Sequence, residues 1–271
     1  MMIHAQHAVA QGFRKLLFVT ADTDVLVLCL FHCKHLMALG VCEIWMRTGV
    51  DDSTRNIPIH LLLETLGPQL CSVLPAVHAI TGADYTSKFS NKKAGLNCNP
   101  IEYLTSFATS PDDCAMPNSM NKAEEYLVQL WKRGSSCKTM DHLRLWLYHH
   151  SKTGFALSEL PPTSRCAKGH LLRAYYHTYM QIHCLDKSVP DLDKQLFGFE
   201  VVDNMLMLTK LIKQFPSNLI RECHCAKCAR SSCTCRMAEL ECCIYCKCQS
   251  DIGCGRQCAN PFGSSTTKSK F

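Results

Sequence analysis

The chain has 271 residues, 47% of them hydrophobic and 19% charged, which excludes a wholly disordered polypeptide and suffices for one main domain with a real core plus an appendage. Lys and Arg number 29 against 23 Asp and Glu, a formal charge of +6 that permits contact with nucleic acid but falls short of a basic tail. No uninterrupted apolar stretch reaches membrane-spanning length, and the opening MMIHAQHAVAQGF lacks the apolar run and small-residue cleavage site of a secretory signal, so no membrane partner is expected.

HAQHAVAQG reads as the end of a helix stopped by Gly12, and KLLFVT follows as a buried strand. Two aspartates, Asp22 and Asp24, then interrupt the apolar pattern. Buried carboxylates are costly unless they cap a helix or face a cation, and taken alone Asp24 reads as a helix N-cap. DVLVLCLFHCKHLMALG has the length of a helix and closes on Gly40; VCEIWM is the next strand; IPIHLLLETLG places proline near a helix start and glycine at its end. Asp51, Asp52 and Arg55 in RTGVDDSTR read as a surface turn. The alternation of helix and strand predicts an α/β domain with a parallel sheet, whose ligands collect beyond the carboxyl ends of the strands, where Asp22 and Asp24 fall. A further apolar helix, LPAVHAI, runs into Gly82 and Asp84. His60 and His78 sit on apolar faces and read as hydrogen-bonded core histidines.

From about Ile101 the pattern turns helical: NKAEEYLVQLWKR, MDHLRLWLYHH and KGHLLRAYYHTYMQIHC carry apolar residues at three- and four-residue spacing. Trp131, Trp146, Tyr175 and Tyr176 take core positions in that pattern. Lys187 to Pro216 reads as a loosely ordered bridge with a short helix around DNMLMLTKLIK, and GSSTTKSKF as a disordered tail. The expected division is residues 1–100 for the α/β domain, 101–186 for a helical extension, 187–220 for a linker, 221–262 for a cysteine-rich module and 263–271 for the tail.

Of the 20 cysteines, 11 lie between Cys223 and Cys258. With no secretory signal in view they point to a reducing compartment, nuclear or cytoplasmic, where clustered thiolates bind metal. Three Cys-x-Cys pairs, Cys223/Cys225, Cys233/Cys235 and Cys246/Cys248, favour a thiolate cluster shared between ions over one isolated tetrahedral site, and so apolar-poor a segment needs such staples to fold.

Two resemblances follow from these motifs. TADTDVLVL and HAITGADYTSKFSNKKA, followed in order by LPPTS and RAYY and with IPIH between them, resemble the PIN-like, or flap-endonuclease-like, 5′-nuclease superfamily, in a branch common among transposon-like animal genes. The resemblance implies two-metal hydrolysis of DNA or RNA phosphodiesters, with Mg²⁺ or Mn²⁺ held by Asp22, Asp24 and Asp84 and phosphate contacts from Lys88, Lys92 and Lys93. Relatives carry further acids in an EEADTR-like segment ahead of this region, so the chain is expected to be a truncated PIN-like domain with little catalysis of its own. Cys228 to Cys248 and the closing Cys258-Ala259-Asn260 resemble a tesmin-type CXC domain, in which nine cysteines hold three zinc ions and the module contacts DNA. The ligand role then passes to Cys223, Cys225, Cys228, Cys233, Cys235, Cys242, Cys246, Cys248 and Cys254 or Cys258, with Cys243 surplus. Where that family has a DNA-contacting tyrosine this chain has Ser232, and residues 221–258 hold six basic against four acidic side chains, so a structural or protein-contacting zinc module stands beside a DNA reader. No small-molecule cofactor and no particular protein partner is implied.

Overall fold

The computed structural model describes residues 1–84, 86–89, 96–110, 116–150, 160–188, 192–209, 223–225, 227–242, 246, 248 and 258–262. Met1–Leu211 and Ile212–Phe271 form two compact units. The first opens with α1 (Met2–Ala10), β1 (Lys15–Val19), α2 (Thr23–Ala38), β2 (Glu43–Thr48), β3 (Arg55–Pro58), α3 (Ile59–Leu66) and α4 (Pro68–Thr81). It continues through α5 (Pro100–Leu104), α6 (Met116–Trp131), α7 (Met140–His150) and α8 (Ser164–Ile182) to a 3₁₀ turn at Lys194–Phe197 and a hairpin of β4 (Phe199–Val202) and β5 (Met205–Leu208).

The fold is mixed α/β. β1 pairs parallel to β2, with Lys15 opposite Glu43, through the α2 crossover. The expectation of a parallel sheet needs correction at β3, which pairs antiparallel to β2, with Met46 opposite Ile57. A connection from Thr48 to Arg55 is too short for a crossover and can only turn back. It does so through a 3₁₀ turn at Asp51–Ser53, so the aspartates of the expected surface turn lie there and Arg55 begins a strand. The strand order is β1-β2-β3, which leaves β1 at an edge. Leu16 and Phe18 are buried, but Leu17 and Val19 are 51% and 64% exposed, so β1 is half-buried and not, as expected, a fully buried strand.

α4 is the pivot of the unit, with ten residues buried. Its Cys71 and Leu74 join the core built by α1, the sheet, α2 and α3, where Leu36, Ile44 and Ile59 are fully enclosed. Val73, Val77 and Ile80 join a second core with α5 to α8, including Tyr126, Leu143, Leu171 and Tyr175. Full burial of each aliphatic side chain stabilises by about 1.5–3 kcal/mol, so α4 is anchored from both sides. Tyr175 takes its expected core place at 1% exposure, whereas Trp131, at the carboxyl end of α6, is 42% exposed.

The bridge after α8 also departs from expectation. In place of a helix around DNMLML stands the β4–β5 hairpin, with Val202 opposite Met205. Asp203 and Asn204 both have positive φ, at 50° and 60°, the backbone of a two-residue type I′ turn that Asp and Asn tolerate. In the second unit the described secondary structure is one short helix, α9 (Thr234–Met237); its interior is made of cysteines.

Candidate functional site

The chain leaves β1 with the Thr20 amide still donating to Arg47 O (3.0 Å), then turns into α2. Asp22 caps that helix: its Oδ1 accepts from the Asp24 amide at 2.8 Å, and its own amide donates to Thr20 Oγ1 at 3.1 Å. The expected N-cap at Asp24 is therefore displaced by two residues. Asp24 sits in the first turn, where a negative charge complements the helix dipole.

Asp84 reaches the same place from the other direction. Gly82 ends α4 at φ +130°, and a Cβ there would come within 2.8 Å of Lys88 Cα, so only glycine lets the loop fold back this closely. Thr86 Oγ1 donates to Ala79 O (2.6 Å) and accepts from the Ala83 amide (2.8 Å), and the Phe89 amide donates to Thr81 O (3.1 Å). His170 of α8 ties the end of α4 from below, with Nε2 2.8 Å from Ile80 O. Facing a carbonyl, Nε2 must carry the proton, and burial pushes this imidazole below its ordinary pKa.

The result is a cleft of ≈ 510 Å³ beyond the carboxyl end of β1, lined by Asp22, Asp24, Asp84, His78, Gly82 and Lys88. Asp22, Asp84 and Lys88 are exposed on its rim. His78, expected as a hydrogen-bonded core histidine, is buried at 5%, and the partner of its Nε2 is Asp24 Oδ1, in direct contact. His177 of α8 lies within electrostatic reach. Burial depresses its pKa, Asp24 and Asp84 oppose that effect, and His78 adds to it. His60 remains a hydrogen-bonded structural residue, with Nδ1 3.1 Å from Ile44 O. Lys92 and Lys93 lie outside the described residues. Nothing in the residue pattern signals the His78–Asp24 contact, because a buried histidine and a capping aspartate each look self-sufficient in isolation.

The second unit gathers thiols more tightly. Among the described residues, the His, Cys, Asp or Glu groups of three or more whose ligand atoms all lie within 4.8 Å of one another are three sets of four cysteines. They are Cys223/Cys235/Cys242/Cys246, Cys223/Cys228/Cys233/Cys242 and Cys228/Cys242/Cys248/Cys258. Cys242 belongs to all three, and Cys223 and Cys228 to two each. Within these groups Sγ···Sγ separations run from 3.3 Å for Cys223–Cys228 through 3.6 Å for Cys235–Cys246 to 3.9 Å for Cys223–Cys242. That is too long for a disulfide. It brackets the ~3.8 Å edge of a tetrahedron with ~2.3 Å metal–sulfur bonds, so the groups could hold a metal ion such as zinc. Cys225 is half-buried against the cluster; Cys243 and Cys254 lie outside the described residues.

The local backbone prepares some of these thiols. Burial raises the Cys233 pKa, yet backbone N–H donation from Arg236 and hydrogen bonds from neighbouring thiols outweigh it and bring the value to about 7. Cys258 is likewise lowered despite burial, with the Asn260 amide contributing most. Thiolate is the ligand form, so these backbone donors favour the metal-binding state of both sulfurs.

By contrast, the acids of the cleft share one cavity without being drawn into a closed coordination group. No helix among the described residues is long and apolar enough to cross a membrane. No family model, curated protein or solved structure matches the chain.

Proposed function

We propose that the acidic cleft is the remnant of a divalent-metal-dependent nuclease site for DNA or RNA phosphodiesters, in a chain whose cysteine-rich unit is held together by three zinc ions. The supporting observation is that aspartates sixty residues apart in sequence share one cleft at the carboxyl end of β1, the place where open α/β sheets bind ligands. Oxygen donors of this kind suit Mg²⁺ or Mn²⁺. A bound ion of either kind supplies Lewis acidity and an activated water. The chain's own residues do the positioning: Asp22, Asp24 and Asp84 carry the negative charge, His78 restrains Asp24, and the exposed Lys88 ammonium is placed to meet a phosphate oxygen.

Asp24 is already engaged by His78, and Asp22 commits one oxygen to the helix cap. The remaining oxygens fit one hydrated ion better than a closed two-ion site, so turnover by this polypeptide is expected to be near zero. Mn²⁺ titration by calorimetry, with cleavage assays on flap and single-stranded substrates, tests the reading. Weak Mn²⁺ binding abolished in Asp84→Asn is the expected result; an Asp22→Asn/Asp84→Asn double variant that binds Mn²⁺ like the parent removes the cleft from consideration.

The completeness of the thiol groups beside the sparse acids favours a second reading, a non-enzymatic zinc-dependent module that binds nucleic acid or protein. Under it, nucleic-acid affinity vanishes on zinc removal and is indifferent to Asp22, Asp24 and Asp84.

A further inference from the structure

We infer that Asn260 is the residue that orients and electrostatically steadies Cys242, the thiol common to all three four-cysteine groups. The inference rests on the zinc-cluster reading above and assigns a role to a residue outside the sulfur set. Asn260 is buried, at 7% exposure. Its Nδ2 lies 3.3 Å from Cys242 Sγ and 2.8 Å from Leu240 O, and its Oδ1 accepts from the Phe262 amide at 3.2 Å. Both amide hydrogens and the oxygen are thus used, which fixes the flip state: the opposite orientation would turn a carbonyl oxygen towards a sulfur and another towards Leu240 O.

The placement matters because of charge. Nine thiolates, from Cys225 and the eight cysteines of the three groups, exceed the charge of three divalent ions, so the cluster keeps negative charge that an N–H donor directed at one of its sulfurs offsets. An N–H donor to a thiolate lowers the cost of keeping it deprotonated. The same side chain also holds Leu240, two residues before Cys242, to the segment after Cys258, and the Ala259 amide donates to Lys227 O at 2.8 Å. Asn260 therefore closes the module while touching its central sulfur.

The test uses the full chain and three variants. Asn260→Asp keeps the shape but replaces the donor with an acceptor, Asn260→Ala removes both, and Phe262→Ala disturbs the closing turn without touching sulfur. Zinc content, chelator competition, the pH midpoint of zinc release and the thiolate-to-metal charge-transfer band of the Co²⁺-substituted protein are measured. Loss of a ligand-supporting donor typically weakens metal binding about 10- to 100-fold. The expected order of weakening is Asn260→Asp, then Asn260→Ala, with the release midpoint moved to higher pH and the Co²⁺ band shifted, while Phe262→Ala keeps the parent's band and midpoint. A parent-like Asn260→Asp, or a Phe262→Ala that reproduces its shifts, overturns the inference. A parent chain that purifies without zinc and fails to take it up defeats the zinc reading itself, a result separable from either.

Discussion

In Met1–Leu211 the interior is filled by aliphatic and aromatic side chains and the candidate metal ligands stand at the rim; in the second unit the candidate ligands are the interior. The first arrangement can fold on apolar burial alone and leave its acids free to exchange a cation with solvent. Among the described residues the second has almost nothing else to bury, so metal bound by its cysteines would couple binding free energy to folding free energy. Under the proposed function, one and the same chain would treat metal as optional cargo in one place and as skeleton in another.

The sharpest way to break that contrast is to strip the metal. A strong chelator is expected to unfold the cysteine-rich unit, which loses stabilisation on the order of 10 kcal/mol, and to leave the thermal transition of the first unit in place. Limited proteolysis with circular dichroism checks this; a first unit that melts with the second denies the distinction. Gly82→Ala comes next. The required φ of +130° and the contact with Lys88 Cα predict a loss of about 2–3 kcal/mol in urea unfolding, with Mn²⁺ binding lost because Asp84 is displaced and zinc content unaltered.

Asp22 separates stability from cargo within the first unit. Asp22→Ala should cost about 1 kcal/mol through the lost cap, whereas Asp22→Asn should keep the cap and still weaken Mn²⁺ binding. Equal stability losses in both variants would show that charge, not capping, is what Asp22 contributes to the fold. The gentlest effect is on pH dependence. Burial lowers the folded-state pKa of His32, His170 and His177, so the unfolded chain takes up protons more readily. Stability is therefore full above the ordinary imidazole value near 6.5 and falls as pH drops through it, until the folded-state pKa values are passed. His170→Gln should flatten that decline in a series of melting curves between pH 7.5 and 5.

Much of this was legible in the sequence where one physical demand dominates. The apolar periods of α2, α6 and α8 announce helices, and aspartates interrupting an apolar run announce a rim. Cys-x-Cys pairs in an apolar-poor tail announce a sulfur interior. The failures arose where two readings share one pattern. MLML with a lysine beyond it suits a helix by spacing, and only Asp203-Asn204, able to adopt positive φ in succession, marks the hairpin. β3 has four residues and ends on Pro58, too short to show alternation. Trp131 departs, and the partner of His78 stayed hidden, because neither helical period nor residue type states which neighbour a side chain will meet at the end of its helix.

The way α4 is shared has one more consequence. Cys71 and Leu74 face one core while Val77 and Ile80 face the other, and Ile80 O is held by His170. A shortened chain ending at residue 100 would leave that second flank wetted and the carbonyl without its imidazole. The acidic rim would lose its footing, so the smallest polypeptide able to present it must extend at least through Ile182.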